Sequence, residues 1–301
     1  MSRYGVPYKG NKSTIADEII RLLPEGGCLV DLFGGGCAIT HRALFSKKWQ
    51  RQIVSDLDWR PIRLFNDAIH GKYRGEDRWI SREDFNELKE TDPYVAFCWS
   101  FGYSGTNYIY GSGVEEWKHA YHNAVFYRDY SLMERYIPGF ECSGDTYVAR
   151  YRSARKVIEA SGISGDDVTD RPGQLQHVPE LEHLQRLQSL ERLESLERLD
   201  YREVPIPTDA IVYCDIPYDK TSGYACGEFD QASFLDWACA QDVPVFISSY
   251  QIQDPRFYCV KEIPKTCSMS ATTTTIVTER VYAPLGTRPH ESVFETQLAM
   301  F

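Results

Sequence analysis

Cys28-Leu29-Val30-Asp31-Leu32-Phe33, then Gly34-Gly35-Gly36, then Cys37-Ala38-Ile39-Thr40-His41-Arg42-Ala43-Leu44-Phe45 is the stretch whose reading decides the fold. The first six residues are an apolar run broken by one acid, and they read as a short buried strand. Three glycines end it and leave the backbone open to close approach by a ligand. The following residues read as a helix. Strand, glycine turn and helix in that order begin a doubly wound α/β sheet, where ligands lie beyond the carboxyl ends of the strands. The motif alone is common, so a partner is needed. Further on, Gln52 to Asp58 reads as a second strand ending in acids, at the spacing where such folds hold the ribose hydroxyls of a nucleoside. Asp56 is the first choice for that role. Asp58 is either its rival or the N-cap of a helix beginning near Arg60-Pro61.

A third strand carries the chemistry. Ala210 to Tyr213 is β-branched and aromatic, and Cys214-Asp215-Ile216-Pro217-Tyr218 ends it in an acid, a proline and a ring. Asp215 can accept hydrogen bonds from an amino group, the Ile216 carbonyl can accept another, and Tyr218 offers a stacking face. That set suits a planar molecule with an exocyclic NH2, such as a nucleobase. Taken alone, the same residues also make an ordinary turn.

Composition sets the frame. The 301 residues have the apolar and charged fractions of a soluble globular protein, with room for one large core or two modest ones. No apolar run is long enough to span a bilayer, and Met1-Ser2-Arg3-Tyr4 does not begin an export signal, so no membrane partner is expected. Nine cysteines without a CxxC pair predict free thiols and no metal site. A net charge of −10 argues against general affinity for polyanions, but local clusters decide that matter. Lys47-Lys48 with Arg51, and Arg150, Arg152, Arg155 and Lys156, are such clusters; either can equally be a solvated helix face.

Along the chain, Pro7-Tyr8-Lys9-Gly10-Asn11-Lys12-Ser13 is a loop opening a helix, with Ser13 or Thr14 as N-cap and Lys12 able to meet an anion. Residues 81–96 read as helical with a break at Asp92-Pro93. Trp99 to Gly111 is dense in aromatics, glycines and small polar residues, suited to stacking on bases, wedging into a duplex, or folding on its own domain. Glu115 to Phe126 and the basic Arg150 to Ile158 read as helices. From Leu181 to Leu199 leucines recur every third residue, a period that fits neither helix nor strand, and no chemistry is assigned to it. Phe229 to Ala240 reads as a helix and Val243 to Ser248 as a strand. Phe257 to Val260 and Thr275 to Tyr282 read as late strands, separated by a polar loop from Lys265 to Thr274 in which Lys265 can touch phosphates.

In this order the motifs resemble the Dam-type, alpha-group N6-adenine DNA methyltransferases, and phage-encoded members in particular. Pro7 to Lys12 is similar to the family's N-terminal cofactor motif, with Asn11 in place of a second glycine. Asp31-Leu32-Phe33-Gly34-Gly35-Gly36 resembles its Phe-x-Gly motif, with Cys37 where a further glycine is often found. Ser55-Asp56 matches the acidic cofactor contact, and Asp215-Ile216-Pro217-Tyr218 the catalytic Asp-Pro-Pro-Tyr. The resemblance implies a Rossmann-like α/β sheet dependent on S-adenosyl-L-methionine, with an inserted, mostly helical target-recognition domain. It implies a catalytic domain at 1–96 and 200–301, the insert at 97–170, and the leucine-periodic segment at 171–199. Tyr8, Lys12, Asp31, Phe33, Gly34, Gly35, Asp56 and Asp215 are its cofactor residues. Asp215, Ile216, Pro217 and Tyr218 hold the adenine, and Tyr103, Asn107, Tyr108, Arg150, Arg152 and Arg155 meet double-stranded DNA. A monomer, or a dimer on DNA, in the cytoplasm of a bacterial or phage-bearing cell is the expected setting.

Ile216 is the main departure. Isoleucine presents the same carbonyl as proline and loses only stiffness, worth roughly 0.4–1 kcal/mol, or about fivefold in rate. A working site is therefore expected. Three other readings remain open at this point: an amino methyltransferase for cytosine N4 or another planar NH2, a catalytically impaired DNA-binding homologue, and a nucleotide-dependent oxidoreductase that leaves Asp215 unexplained.

Overall fold

The computed structural model describes residues 4–163, 181, 184, 190–217, 229–270 and 273–286. The chain forms two compact units. One comprises Pro7–Lys9 and Asp67–Gln185, and the other Ser2–Val6, Gly10–Asn66 and Arg186–Phe301.

The second unit is built on seven strands: β1 (Gly26–Leu32), β2 (Trp49–Asp56), β3 (Leu193–Glu197), β4 (Ala210–Asp215), β5 (Val245–Ser249), β6 (Phe257–Ser270) and β7 (Thr273–Pro284). Their order is β3-β2-β1-β4-β5-β7-β6. The first five run parallel, and β7 is antiparallel to β5 and to β6, so β7 alone runs against the rest. The parallel centre needs cover on both faces, and strict alternation along the strands provides it. Leu29, Ile211, Tyr213, Phe246 and Val281 pack with helices α1 (Ala16–Leu22) and α2 (Ala38–Leu44). Cys28, Val30, Leu32, Val212, Cys214 and Ile216 pack on the other face with Phe234, Leu235 and Ala238 of the helix Gln231–Cys239.

Several expectations are corrected here. Helix α1 begins after Ile15 with no side-chain cap, and Ser13 Oγ instead accepts from the Tyr4 amide at 2.8 Å. Lys48 also has an internal task, since its ammonium donates to the carbonyls of Ile20, Arg21 and Leu23 at the end of α1. Lys265 to Ser270 is not loop: it continues β6 and pairs with Thr273 to Val277 of β7. Within the leucine-periodic segment, Leu193 and Leu196 lie on β3, the edge strand beside β2. Arg192 fastens that edge by donating to the carbonyls of Ser46, Trp49 and Gln50. Leu181 and Leu184 are buried and helical, and residues 185–189 lie outside the described residues.

The first unit has its own cores. Helices α4 (Arg82–Leu88) and α5 (Pro93–Cys98) flank Asp92, whose carboxylate accepts from the amides of Tyr94 and Val95, so the break expected at Asp92-Pro93 is a helix cap. Trp117, Tyr121, Val125, Tyr151, Ala154 and Ile158 of α6 (Glu115–Phe126) and α7 (Tyr147–Ala160) form a second cluster with Met133, Ile137 and Phe140. Trp79 stacks on Tyr110 and His119 and meets Trp99 edge-on. These ring contacts tie Trp79 to the aromatic segment, and both lie in the compact unit that starts at Asp67.

Candidate active site

Three strands of the second unit end side by side in acids: Asp31 near the end of β1, Asp56 ending β2 and Asp215 ending β4. Between them the chain bends through Phe33 to Cys37. Phe33 and Cys37 both take left-handed φ values, 58° and 56°, and bracket the glycines. A non-glycine residue resists that conformation, so the bend stores strain that the surrounding contacts must hold. Asp56 holds part of it. One carboxylate oxygen accepts from the Gly35 amide at 2.8 Å and the other from the Asp58 amide at 2.9 Å. A Cβ on Gly34 would lie 2.4 Å from Val54 Cγ2, so only glycine lets the bend settle on β2. Asp58 resolves as the helix cap: it accepts from the Arg60 amide at 3.1 Å, ahead of α3 (Trp59–Ile69).

The N-terminal segment closes over the same bend. Val6 N–H donates to the Gly36 carbonyl and Gly5 N–H to His41 Nδ1, each at 2.8 Å. His41 was not singled out from sequence. It looks like one more residue of an amphipathic helix, and only its contact with a segment 36 residues away gives it a role. Asn11 fills the position of the absent glycine with a turn of its own. Its side chain donates to the Val6 carbonyl at 2.8 Å and accepts from the Ser13 amide at 2.6 Å.

That turn delivers Lys12 to Asp215. Lys12 is 4 % exposed, and its ammonium lies 2.6 Å from each Asp215 oxygen. It donates to Oδ2; among the described residues Oδ1 receives no aligned hydrogen bond. Burial raises the Asp215 pKa and Lys12 opposes that rise, with the balance upward. Burial also pushes Asp31 up to about 7 and Asp56 up to about 6, each against the hydrogen bonds it accepts. Three crowded carboxyl groups that resist ionisation favour a cationic guest.

The other expected residues are placed unevenly. Asp31 is buried and accepts from the Thr40 amide at 3.1 Å and hydroxyl at 2.6 Å, which fixes the start of α2. Phe33 packs among Tyr201, Phe229 and Phe234. Ile216 is 1 % exposed within the core under β4, and Pro217 is half-buried. Tyr218 lies outside the described residues. Tyr8 belongs to the first unit, edge-on to Phe97.

Of the expected DNA residues, Tyr108 is buried and Arg150 is half-buried, each bonded to backbone carbonyls of its own unit. Tyr108 is 8 % exposed with its hydroxyl on the Ile80 carbonyl at 2.8 Å. The Arg150 guanidinium donates to the carbonyls of Val125 and Phe126, closing the end of α6. Asn107 and Arg152 are exposed, Tyr103 is half-buried, and Arg155 is exposed in an i,i+4 pair with Glu159. Among the described residues no helix is long and apolar enough to cross a membrane, and no group of three His, Cys, Asp or Glu side chains could hold a metal. A cavity of about 450 Å³ lined by Cys239, Pro244, Arg256 and Leu285 lies at the amino end of β5, whereas these acids lie at the carboxyl ends of their strands.

A search of the curated proteins found no match. A family model, D12 class N6 adenine-specific DNA methyltransferase, matches residues 8–132. That span takes in Lys12, the glycine bend and Asp56, and ends before β4. Over residues 8–132 this chain is similar to the D12 class N6 adenine-specific DNA methyltransferases.

Proposed function

We propose that Asp215, held by Lys12, is the group that receives the target adenine amine, and that S-adenosyl-L-methionine is the methyl donor. The observation that carries this is the Lys12–Asp215 pair, at the carboxyl end of β4, on a strand adjoining the one that runs into the glycine bend. The acid-rich rim fits the donor, which brings a positive sulfonium with a transferable methyl. Lys12, Phe33, Gly34, Gly35 and Asp56 are the residues of this unit that would hold it, with Asp31 bracing the helix behind.

Adenine N6 is hidden in a duplex, so the base must be extruded at a cost of a few kcal/mol. Asp215 Oδ1 and the Ile216 carbonyl accept from the two N6 hydrogens, and Tyr218 supplies a stacking face. Those acceptors would turn the nitrogen lone pair out of conjugation, so that it forms the new N–C bond as the S–C bond to the methyl breaks, S-adenosyl-L-homocysteine leaves with the bonding pair, and one N6 proton is released to solvent. The main catalytic contribution is holding two reactants in line. Asn107, Tyr103, Arg152 and Arg155 are proposed to meet the duplex, with a monomer, or a dimer on DNA, as the working form. Such an enzyme works where DNA is, in the cytoplasm of a bacterial or phage-bearing cell. Nucleoside mass spectrometry of DNA incubated with enzyme and labelled donor tests the reading. It predicts N6-methyladenine; N4-methylcytosine would move the enzyme to the other amino class.

A further inference from the structure

A second charged pair stands behind Asp215. Glu279 on β7 has no exposed surface, and Lys265 on β6 reaches its Oε2 at 2.5 Å with a side chain 15 % exposed. Register relates the two pairs. Asp215 lies beside Ser248 on β5, Ser248 lies opposite Val281, and Glu279 precedes Val281 by two residues, hence on the same face of the sheet. The Tyr213 hydroxyl donates to Ser248 Oγ at 2.7 Å in that intervening space. Lys265 also sits over the Tyr250 ring, 5.3 Å from its centroid.

A fold has little reason to bury this pair for stability. Replacing a buried ion pair by apolar side chains is often neutral or favourable, and buried Val281 and Ile263 are apolar neighbours along the same two strands. What the pair does change is the field at Asp215, where Glu279 acts after burial and Lys12 and ahead of Lys265. Lys12, Asp215, Lys265 and Glu279 together carry no net charge. Without Glu279, two ammonium groups would face one carboxylate.

We infer that Glu279, braced by Lys265, is a positioning residue for Asp215: its charge offsets the pull of Lys12 and keeps the Asp215 carboxylate a strong acceptor for the substrate amine. This rests on the reading of Asp215 as that acceptor. The other titratable groups near Asp215 are Asp31 on β1, Asp56 on β2, Tyr213 on β4 and, on the opposite face of the same strand, Cys214; all remain unchanged in the variants below.

The test compares Glu279→Gln with Glu279→Asp. Two readouts are taken: the pH dependence of kcat, and the 13C carboxyl titration of Asp215 in protein without donor or DNA. E279Q should move the Asp215 titration and the acid limb of kcat to lower pH. Its kcat should fall about threefold or more while KM for DNA holds within about twofold. E279D keeps the charge and should restore the titration. Should E279Q fail to fold, E279Q/K265Q keeps a hydrogen bond without either charge and should move the titration the same way by less. An Asp215 titration unmoved in the neutral variants, or E279D behaving like E279Q, overturns the inference. Asp215→Asn separates the two levels: full turnover there defeats the reading of the site, while the titrations in the Glu279 series still report whether the two carboxylates are coupled.

Discussion

Replacing Lys12 by methionine removes the one ammonium that lies 2.6 Å from both oxygens of Asp215 while keeping most of the buried stem. At that distance the gross attraction is about 6 kcal/mol with an effective dielectric of 20. Part of it only repays the desolvation of the lysine. Removing one partner of a buried pair typically costs 3–5 kcal/mol, and the Asp215 side chain is 21 % exposed, so about 3 kcal/mol is the better figure. The protein need not bear that cost as lost stability, because the carboxyl group can take up a proton. Its pKa is already raised by burial with Lys12 opposing, so loss of Lys12 drives it higher. A protonated Asp215 is a poor acceptor for an amine. Lys12→Met should therefore lower kcat at neutral pH by about a hundredfold, with partial recovery as pH rises. Transfer of labelled methyl groups to DNA, measured from pH 6 to about 9.5 with donor and DNA saturating, gives the profile. An acid limb unmoved, or moved to lower pH, would refute the reasoning.

Ile216→Pro should change kcat by less than about fivefold in either direction, because the stiffness gained, roughly 0.4–1 kcal/mol, is offset by losing part of a side chain that is 1 % exposed. A large gain under the same assay would show that the packing of Ile216 adds nothing. Asp31 is pushed up to about 7 by burial, so its contribution to stability is complete below about pH 4 and is lost as pH rises to 7. The span of about three pH units amounts to something on the order of 4 kcal/mol. Asp31→Asn should flatten that dependence and stabilise the ligand-free protein at pH 8, as urea unfolding at pH 4 and 8 would show; parallel curves for the two proteins contradict it. Arg152→Ala with Arg155→Ala should reduce the slope of log affinity against log salt by about two, since the Arg155–Glu159 pair is exposed and weak enough to yield to phosphate. An unchanged slope places the duplex elsewhere.

The elements of the sheet were legible because each carries its own local signal. Cys28 to Leu32 and Ala210 to Cys214 alternate between two apolar faces, and an acid or glycine marks where each strand stops. Asp58 could be read as a cap from its place before α3. The long β6–β7 ribbon was not legible past Lys265, because serines and threonines there look like loop, and their pairing is set by partners across the hairpin. The internal contacts of Tyr108 and Arg150 were not legible for a related reason. Composition says that aromatics and arginines are dense, but only tertiary contacts show that one bonds the Ile80 carbonyl and the other the end of α6. Glu279 had a usable signal: it shares parity with the buried Val281, so a charged residue was due on the inner face. Lys12 meeting Asp215, 203 residues later, had none beyond the resemblance.

Asp215→Ala is the most direct check on the whole account. The variant, shown by circular dichroism to keep its fold, should still bind duplex DNA yet transfer no detectable methyl to adenine from labelled S-adenosyl-L-methionine. Turnover within tenfold of the unaltered enzyme would mean that the amine is received somewhere else.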